Sequence, residues 1–246
     1  MSRRALFAGL AALTLLPAPA AFALPGSSSI AASGKVVTES RAVRGYTGIG
    51  LSVPGTVVVR QGADESLTIE ADDNLMPEIE TVVERGSLRI RFRRSLNVTG
   101  KSTIRILVTG PAFGSLAVAG SGDIVSENLK SRSLDVSVAG SGNVKIARLE
   151  VDRLKVSIAG SGDFRAAGRA DEVAANIAGS GNVEAGRLEA RRASVSIAGS
   201  GNATLWARES LAASLLGSGD VRYHGDPAVT RSIAGSGSLK RLGPAP

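Results

Sequence analysis

The chain has 246 residues and a formal net charge of +7, and it contains no cysteine. The lack of cysteine excludes disulfide bonds, thiolate metal sites, a cysteine nucleophile and a lipoprotein anchor on cysteine. Aromatic residues make up only 3% of the chain, which argues against the stacking platforms of single-stranded nucleic acid binding and against typical carbohydrate clefts. We therefore expect no nucleic-acid partner.

Residues 1–23 are typical of a secretory signal peptide. Arg3 and Arg4 precede an apolar run over residues 5–16, and Ala21-Phe22-Ala23 has the small-x-small pattern of a cleavage site. Ser2-Arg3-Arg4 also resembles a twin-arginine signal, so the export route stays open. Twelve apolar residues are too few to span a bilayer, which makes an uncleaved anchor the weaker alternative. We expect an exported protein of the periplasm or cell surface, with no transmembrane span after cleavage.

The first half of the mature chain predicts an irregular arrangement of strands. Residues 24–35 are rich in Ser, Gly and Ala, which is typical of a flexible tether. Over residues 36–113, the pattern predicts strands at 47–53, 56–60, 66–70, 79–83, 88–93 and 103–108. Between these strands, Gly62-Ala63-Asp64 and Glu84-Arg85-Gly86 are typical of hairpin turns.

Three arginines on one predicted strand form a candidate binding site. Arg89, Arg91 and Arg93 alternate with apolar residues and therefore share the outer face of the strand. Such a stripe suits acidic polysaccharides or lipopolysaccharide phosphates, because guanidinium groups bind carboxylates and phosphates well. The alternative is a solvated face whose charges pair with Glu78, Glu80 and Glu84.

The second half, residues 114–240, is a repeat. Gly-Ser-Gly recurs seven times, with steps of 20, 20, 19, 20, 18 and 18 residues, at 120–122, 140–142, 160–162, 179–181, 199–201, 217–219 and 235–237. An alternating apolar run such as Leu134, Val136 and Val138 precedes each copy, which predicts a strand with one buried face. A single unit cannot bury that face or pair its strands, so the units must stack on one another. The sequence thus predicts an all-β, right-handed parallel β-helix of about 20 residues per coil over residues 36–240, with a tail at 241–246.

The residue after each glycine corner alternates between acid and amide. Both glycines are expected to take positive φ, and the following column never places two Asp side by side: Asp123, Asn143, Asp163, Asn182, Asn202, Asp220 and Ser238. In a stack spaced by about 4.8 Å, neighbouring carboxylates would repel, whereas an Asn amide can donate to an adjacent Asp. We interpret these residues as a structural corner ladder; calcium binding along it is the alternative.

The end of the repeat and the single histidine complete the pattern. Arg231 stands where the other copies are apolar, and Lys240, Arg241 and the final prolines predict a blunted last edge. His224 has Asp226 two residues away, but a triad or metal site would require further groups to converge on it. We predict a polar corner residue there, and no catalytic, metal or cofactor site.

The chain resembles the putative auto-transporter adhesin head GIN domain family of exported bacterial proteins over about residues 36–240. The resemblance rests on the Ala-Gly-Ser-Gly-Asp/Asn corners and on four segments: Tyr46-Thr47-Gly48-Ile49, Val58-Val59-Arg60-Gln61-Gly62, Ile69-Glu70-Ala71-Asp72-Asp73-Asn74-Leu75 and Gly86-Ser87-Leu88-Arg89-Ile90. It implies a β-helical fold, a periplasmic or surface location and an adhesin-type role, and it brings no catalytic residues.

The leading functional hypothesis is a non-catalytic exported module that presents a repetitive surface to a glycan, an envelope component or a protein. Two alternatives remain. One is a β-helical enzyme acting on polysaccharide, which rests on fold analogy alone. The other is a periplasmic accessory protein that binds other exported proteins.

Overall fold

Strands dominate the computed structural model, which describes residues 28–245; the predicted signal peptide lies outside this range. The one helical element in it is a 3-10 turn at Met76–Glu78, and no helix within it is long and apolar enough to cross a membrane. The strands, in chain order, are β1 (Ser28–Ala31), β2 (Val36–Arg41), β3 (Gly48–Leu51), β4 (Thr56–Gln61), β5 (Ser66–Asp72), β6 (Ile79–Glu84), β7 (Ser87–Phe92), β8 (Leu96–Thr99), β9 (Ile104–Gly110), β10 (Ser115–Gly120), β11 (Asp123–Gly140), β12 (Asn143–Gly160), β13 (Asp163–Gly179), β14 (Asn182–Gly199), β15 (Asn202–Gly217), β16 (Asp220–His224), β17 (Ala228–Gly235) and β18 (Ser238–Gly243).

The repeats form a parallel β-solenoid of about six turns with about 20 residues per coil, as the sequence predicts. Strands β11 to β15 each trace one coil and pair in parallel with the coil before and the coil after. Strand β11 pairs with β4 through residues 123–126 and with β10 through residues 135–140, so one coil contributes to two faces of the solenoid. We call the face that contains residues 123–126 the first face, the paired stretch at residues 128–131 the second face, and the face that contains residues 134–140 the third face.

Inward side chains form continuous apolar columns along the solenoid. In the first face, Ile124, Val144 and Phe164 stand in register on consecutive coils, and none of them is exposed. Burial of an aliphatic or aromatic side chain contributes roughly 1.5–3 kcal/mol. The alternation of apolar and polar residues therefore drives the stacking, because each coil can bury its inner face only against its neighbours.

The two glycines of each corner are required for different reasons. The first has a positive φ, for example +122° at Gly140 and +126° at Gly160, which is a region that L side chains disfavour. The second does not have a positive φ, contrary to the prediction. It is glycine because a Cβ there would overlap the backbone of the previous coil; at Gly162 the Cβ would strike the carbonyl oxygen of Gly142 and come within 2.6 Å of Val138 Cγ1.

The irregular first half extends the first and the third face of the solenoid. Strands β9, β5 and β2 continue the first face beyond β4, and strands β3, β7 and β6 continue the third face beyond β10. The predicted hairpin at residues 84–86 is present, since β6 and β7 pair antiparallel and both Arg85 and Gly86 have positive φ. The predicted hairpin at residues 62–64 is wrong. Strand β9 lies between β4 and β5 and pairs with both, because its fully buried Ile106 and Val108 make it a central strand.

The predicted flexible tether is also corrected over its described part. Residues Ser28–Ala31 form β1, which pairs in parallel with β8. Beyond β1, Gly34 N–H donates to Asp72 Oδ1 at 2.7 Å, and the buried Asp72 also accepts from Thr103 N–H at 2.8 Å. Composition alone misses this docking, because the partners of the segment lie far away along the chain.

Candidate anion-binding groove

The predicted arginine stripe lies on β7 and is largely charge-compensated. Arg91 Nε lies 2.8 Å from Glu80 Oε2, and Arg89 Nε lies 3.4 Å from Glu84 Oε2. Arg93 Nε donates to the carbonyl oxygen of Pro77 at 2.9 Å. The pairing with glutamates given above as the alternative is therefore the arrangement that the structure contains.

The neighbouring pair of Arg94 and Glu78 extends this compensation. Their closest atoms, Arg94 Nη2 and Glu78 Oε1, are 2.7 Å apart. The hydrogen bond from Arg94 lowers the pKa of Glu78, so this carboxylate stays charged beside the stripe. The edge formed by β6 and β7 is thus a network of paired charges.

The corner column residues contact one another along the first face. Asn143 Nδ2 donates to Asp123 Oδ1 at 2.8 Å, Asn182 Nδ2 donates to Asp163 Oδ1 at 2.9 Å, and Asn202 Nδ2 donates to Asn182 Oδ1 at 3.1 Å. Backbone N–H groups complete the chain, because those of residues 163 and 220 donate to the amide oxygens of the preceding coils at 3.1 and 3.3 Å. Two of the amides, those of Asn143 and Asn182, therefore donate to the carboxylate of the preceding coil, while Asn202 donates to the amide of Asn182.

The last carboxylate of this column closes the final coil. Asp220 Oδ1 accepts from Ser238 N–H at 3.0 Å and from Ser238 Oγ at 2.6 Å. The hydrogen bond from the Ser238 hydroxyl is the main cause of a lowered pKa at Asp220. This contact is structural, because the carboxylate binds the backbone and side chain of the neighbouring strand.

The lone histidine does not meet a nucleophile or a set of ligands. His224 Nδ1 contacts the carbonyl oxygen of Pro244 at 3.0 Å, while Asp226 pairs with Arg241 at 3.3 Å. Over residues 28–245, no group of three or more His, Asp or Glu side chains converges in a way that could hold a metal ion.

A basic groove lies on the first face, beside the corner column. The groove has a volume of about 740 Å³ and joins a smaller pocket of about 240 Å³ through shared Val58, Arg60 and Arg105. Two glutamates, Glu127 and Glu150, also line it, and Glu70 lines the smaller pocket together with Leu107. The five cationic residues of the groove are Arg60, Arg105, Lys130, Lys145 and Arg148. Its lining therefore carries a clear excess of positive charge.

Strand register explains the apolar floor of the groove. Leu107 on β9, Val58 on β4 and Val125 on β11 stand side by side in consecutive strands. They point outward, since they alternate with buried inward residues, and all three are half-buried. Lys145 follows Val125 on the next coil and marks one limit of the floor.

Hydrogen bonds from Gln61 and Ser126 fix the wall of the groove. The Gln61 side chain pairs with the Lys130 backbone in both directions, at 2.7 Å to the carbonyl oxygen and 2.8 Å from the N–H. The buried Ser126 hydroxyl donates to the Val59 carbonyl oxygen at 3.1 Å. Since these contacts hold the end of β4 against the bend of β11, they also hold Arg60 at the rim.

Most of the groove cations have no acidic partner in the described part of the chain. Lys130 pairs with Glu150 at 3.2 Å. Arg60, Arg105, Lys145 and Arg148 make no ion pair among residues 28–245. Even Arg105, which stands opposite Glu70 in the sheet, is not paired with it. The groove thus carries more unpaired positive charge than the predicted stripe.

A second depression, of about 470 Å³, lies on the third face over Ala174, Ser194 and Ala212. Its rim carries Arg192, which forms an ion pair with Glu172. The hydrogen bond that Arg192 donates within this pair lowers the pKa of Glu172. The depression is also lined by charged residues that form no ion pair among residues 28–245: Arg153, Lys155 and Asp135. With three basic residues against two acidic ones, its lining has a smaller excess of positive charge than that of the groove.

The fold and the groove together define a parallel β-solenoid with a cationic outer surface. The family described as "Putative auto-transporter adhesin, head GIN domain" matches residues 45–227, and the chain belongs to this family. No curated protein matches the chain.

Solved structures agree with this assignment. A putative adhesin from Bacteroides fragilis is 30% identical with a TM-score of 0.83, and a putative lipid binding protein from Parabacteroides distasonis is 26% identical with a TM-score of 0.72; each alignment covers 87% of this chain and 100% of the other. A putative adhesin from Parabacteroides merdae, 18% identical over 88% of this chain and 100% of its own, shares the fold with a TM-score of 0.67.

Proposed function

We propose that this protein is a non-catalytic, exported, adhesin-like binding module that captures an anionic envelope or surface ligand in the groove. The observation that carries the proposal is the cluster of uncompensated cations around an apolar floor. Exposed cations that have no intramolecular partner attract anions and can donate charge-assisted hydrogen bonds to carboxylates and phosphates.

The family and its structural relatives support this role. Adhesins bind surface components, and the Bacteroides fragilis relative bears that description. The Parabacteroides distasonis relative is described as lipid-binding. An acidic glycan and a phosphorylated lipid head group share the anionic chemistry that the groove is suited to bind, and both occur outside the cytoplasm, where the predicted signal peptide would direct the protein.

A pair of double variants with equal loss of charge tests the proposal. Arg60→Gln with Lys145→Gln removes two unpaired groove cations, while Arg89→Gln with Arg91→Gln removes two cations already paired with glutamates. Binding to immobilised acidic polysaccharide and to vesicles containing anionic lipid is measured at low and at physiological salt. We expect the groove pair to weaken binding about a hundredfold or more, because each of the two charged contacts contributes roughly 1.5–3 kcal/mol, and the control pair to weaken it less than about twofold.

Equal losses in the two double variants would show that only net charge matters, and the groove assignment would be abandoned. The same samples assess catalysis. Release of reducing or unsaturated ends from the polysaccharide, at a rate that depends on the protein, would replace the binding-module proposal with the enzyme alternative.

A further inference from the structure

We infer that the groove binds a polyanionic glycan chain that runs along the solenoid axis and bridges cations on the neighbouring strands β9, β4, β11 and β12; this inference rests on the proposed function. Arg105 lies on β9 and Lys145 on β12, and β4 and β11 stand between them. Three strand spacings of about 4.8 Å separate the two by about 14 Å along the axis.

This separation decides the size of the ligand. A single carboxylate or phosphate contacts donors within about 3 Å, so it reaches both Arg105 and Lys145 only if both long side chains turn toward the middle of the groove and lose their rotational freedom. At physiological salt, exposed charges further apart than about 8 Å act almost independently. With both side chains extended outward from their own strands, the two ends of the groove are separate anion contacts. A ligand that carries acidic groups along one connected chain engages both without bending either side chain inward.

The surface between the charged ends fits a sugar chain. The floor of Leu107, Val58 and Val125 offers an aliphatic surface to the apolar faces of sugar rings, as in other ligand pockets that combine an apolar lining with a few polar groups. Asn143 is exposed beside this floor, on the same face of the same strand as Lys145. Its Nδ2 donates one hydrogen to Asp123, and the second N–H can donate to a sugar hydroxyl group.

The shape of the groove favours a chain over a membrane. The apolar residues form the half-buried floor of a concave groove, below the rim cations. A flat bilayer would contact the rim and leave the floor uncovered, whereas an extended chain can lie inside.

A length series of uronic-acid oligomers, from the monosaccharide to the octamer, tests the inference by calorimetry or by fluorescence anisotropy with the full mature chain. Affinity is expected to rise on the order of a hundredfold between the monomer and the first oligomer long enough to bridge both ends, and then to level off. Lys145→Gln should reduce the affinity of long oligomers to that of short ones and leave binding of the monosaccharide within about twofold.

The outcomes separate this inference from the proposed function. If long oligomers bind no more tightly than the monosaccharide while the groove variants still weaken binding, the groove is an anion site, but the inference that one glycan chain bridges its two ends is wrong. If anionic vesicles bind and every oligomer fails, the ligand is a lipid head group and the inference is overturned. If no anionic ligand binds in a groove-dependent way, the proposed function fails as well.

Discussion

The second glycine of the corner provides a sharp test of how the coils pack. Replacing Gly162 with alanine places a Cβ against the Gly142 carbonyl oxygen and 2.6 Å from Val138 Cγ1. Both neighbours are held by inter-coil pairing, so the clash can be relieved only by separating two coils. Overpacking costs about 1–3 kcal/mol, and because the backbone must move here the cost is about 3 kcal/mol or slightly more; the alanine regains about 0.4–1 kcal/mol from the unfolded chain. We expect a net destabilisation of about 2–3 kcal/mol.

Two control variants isolate the cause. Gly100 has a φ of +83°, and no atom lies within 4 Å of the position that a Cβ would take there, so Gly100→Ala introduces backbone strain without a clash and should cost about 1–2 kcal/mol. Gly50 has no positive φ, and the atom nearest to an added Cβ is Arg89 Nη1 at 3.9 Å, so Gly50→Ala should be neutral or slightly stabilising.

Thermal unfolding followed by circular dichroism ranks the three variants. Since about 1 kcal/mol shifts Tm by roughly 2–4 °C in a domain of this size, Gly162→Ala should lower Tm by about 4–12 °C. If Gly162→Ala unfolds at the same temperature as Gly50→Ala, the close approach of the coils is not what requires glycine there, and the explanation of the corner fails.

Two further predictions concern the last coils. Asp220 has a lowered pKa in the folded chain, so its bond to Ser238 stabilises β18 at pH values above the ordinary aspartate pKa, and this contribution is lost as pH falls through the lowered value. Because amide exchange is base-catalysed and slows intrinsically on acidification, the quantity to measure is the protection factor, the intrinsic exchange rate divided by the observed one. For residues 238–243 the protection factor should fall on acidification in the native chain, and less so in Asp220→Asn. Arg231 stands in register with the buried Ala213 at the open end of the solenoid, where Val229 and Ile233 are 39% and 37% exposed. Arg231→Val should therefore leave an uncharged apolar edge that promotes end-to-end association. Light scattering should show larger species for this variant and not for Arg231→Lys.

The repetitive half of the fold could be predicted because its information is local. Apolar alternation gives the strands, and the recurrence of Gly-Ser-Gly gives the coil length. Together they require parallel stacking, since no other arrangement buries the same face of every copy. The corner column could also be located, because equivalent positions in consecutive copies become neighbours in space once the period is known.

The irregular half could be predicted only in part, because its pairing is not periodic. Most strands there were anticipated, but the insertion of β9 between β4 and β5 was not, since a short loop between two strands is also typical of a hairpin. The docking of residues 28–31 was missed for the same reason: β8, its partner, is far along the chain. Both differences arise from long-range pairing that no local pattern encodes.

The candidate site illustrates the same limit and also shows where the sequence contained a usable signal. The arginines of β7 attract notice because they are close together in sequence, yet a hairpin brings their glutamate partners equally close, as the register of Arg91 with Glu80 shows. The groove cations come from β4, β9, β11 and β12, so their convergence depends on the sheet order. The sequence did indicate which outer-face cations lack a partner, because the residue at the equivalent position of the neighbouring coil is then not acidic. Lys145 follows Val125, whereas Arg165 faces Glu184 and pairs with it at 2.7 Å. In a stacked solenoid, charge alternation between consecutive coils stabilises the rod, and a break in that alternation leaves cations that can bind a ligand.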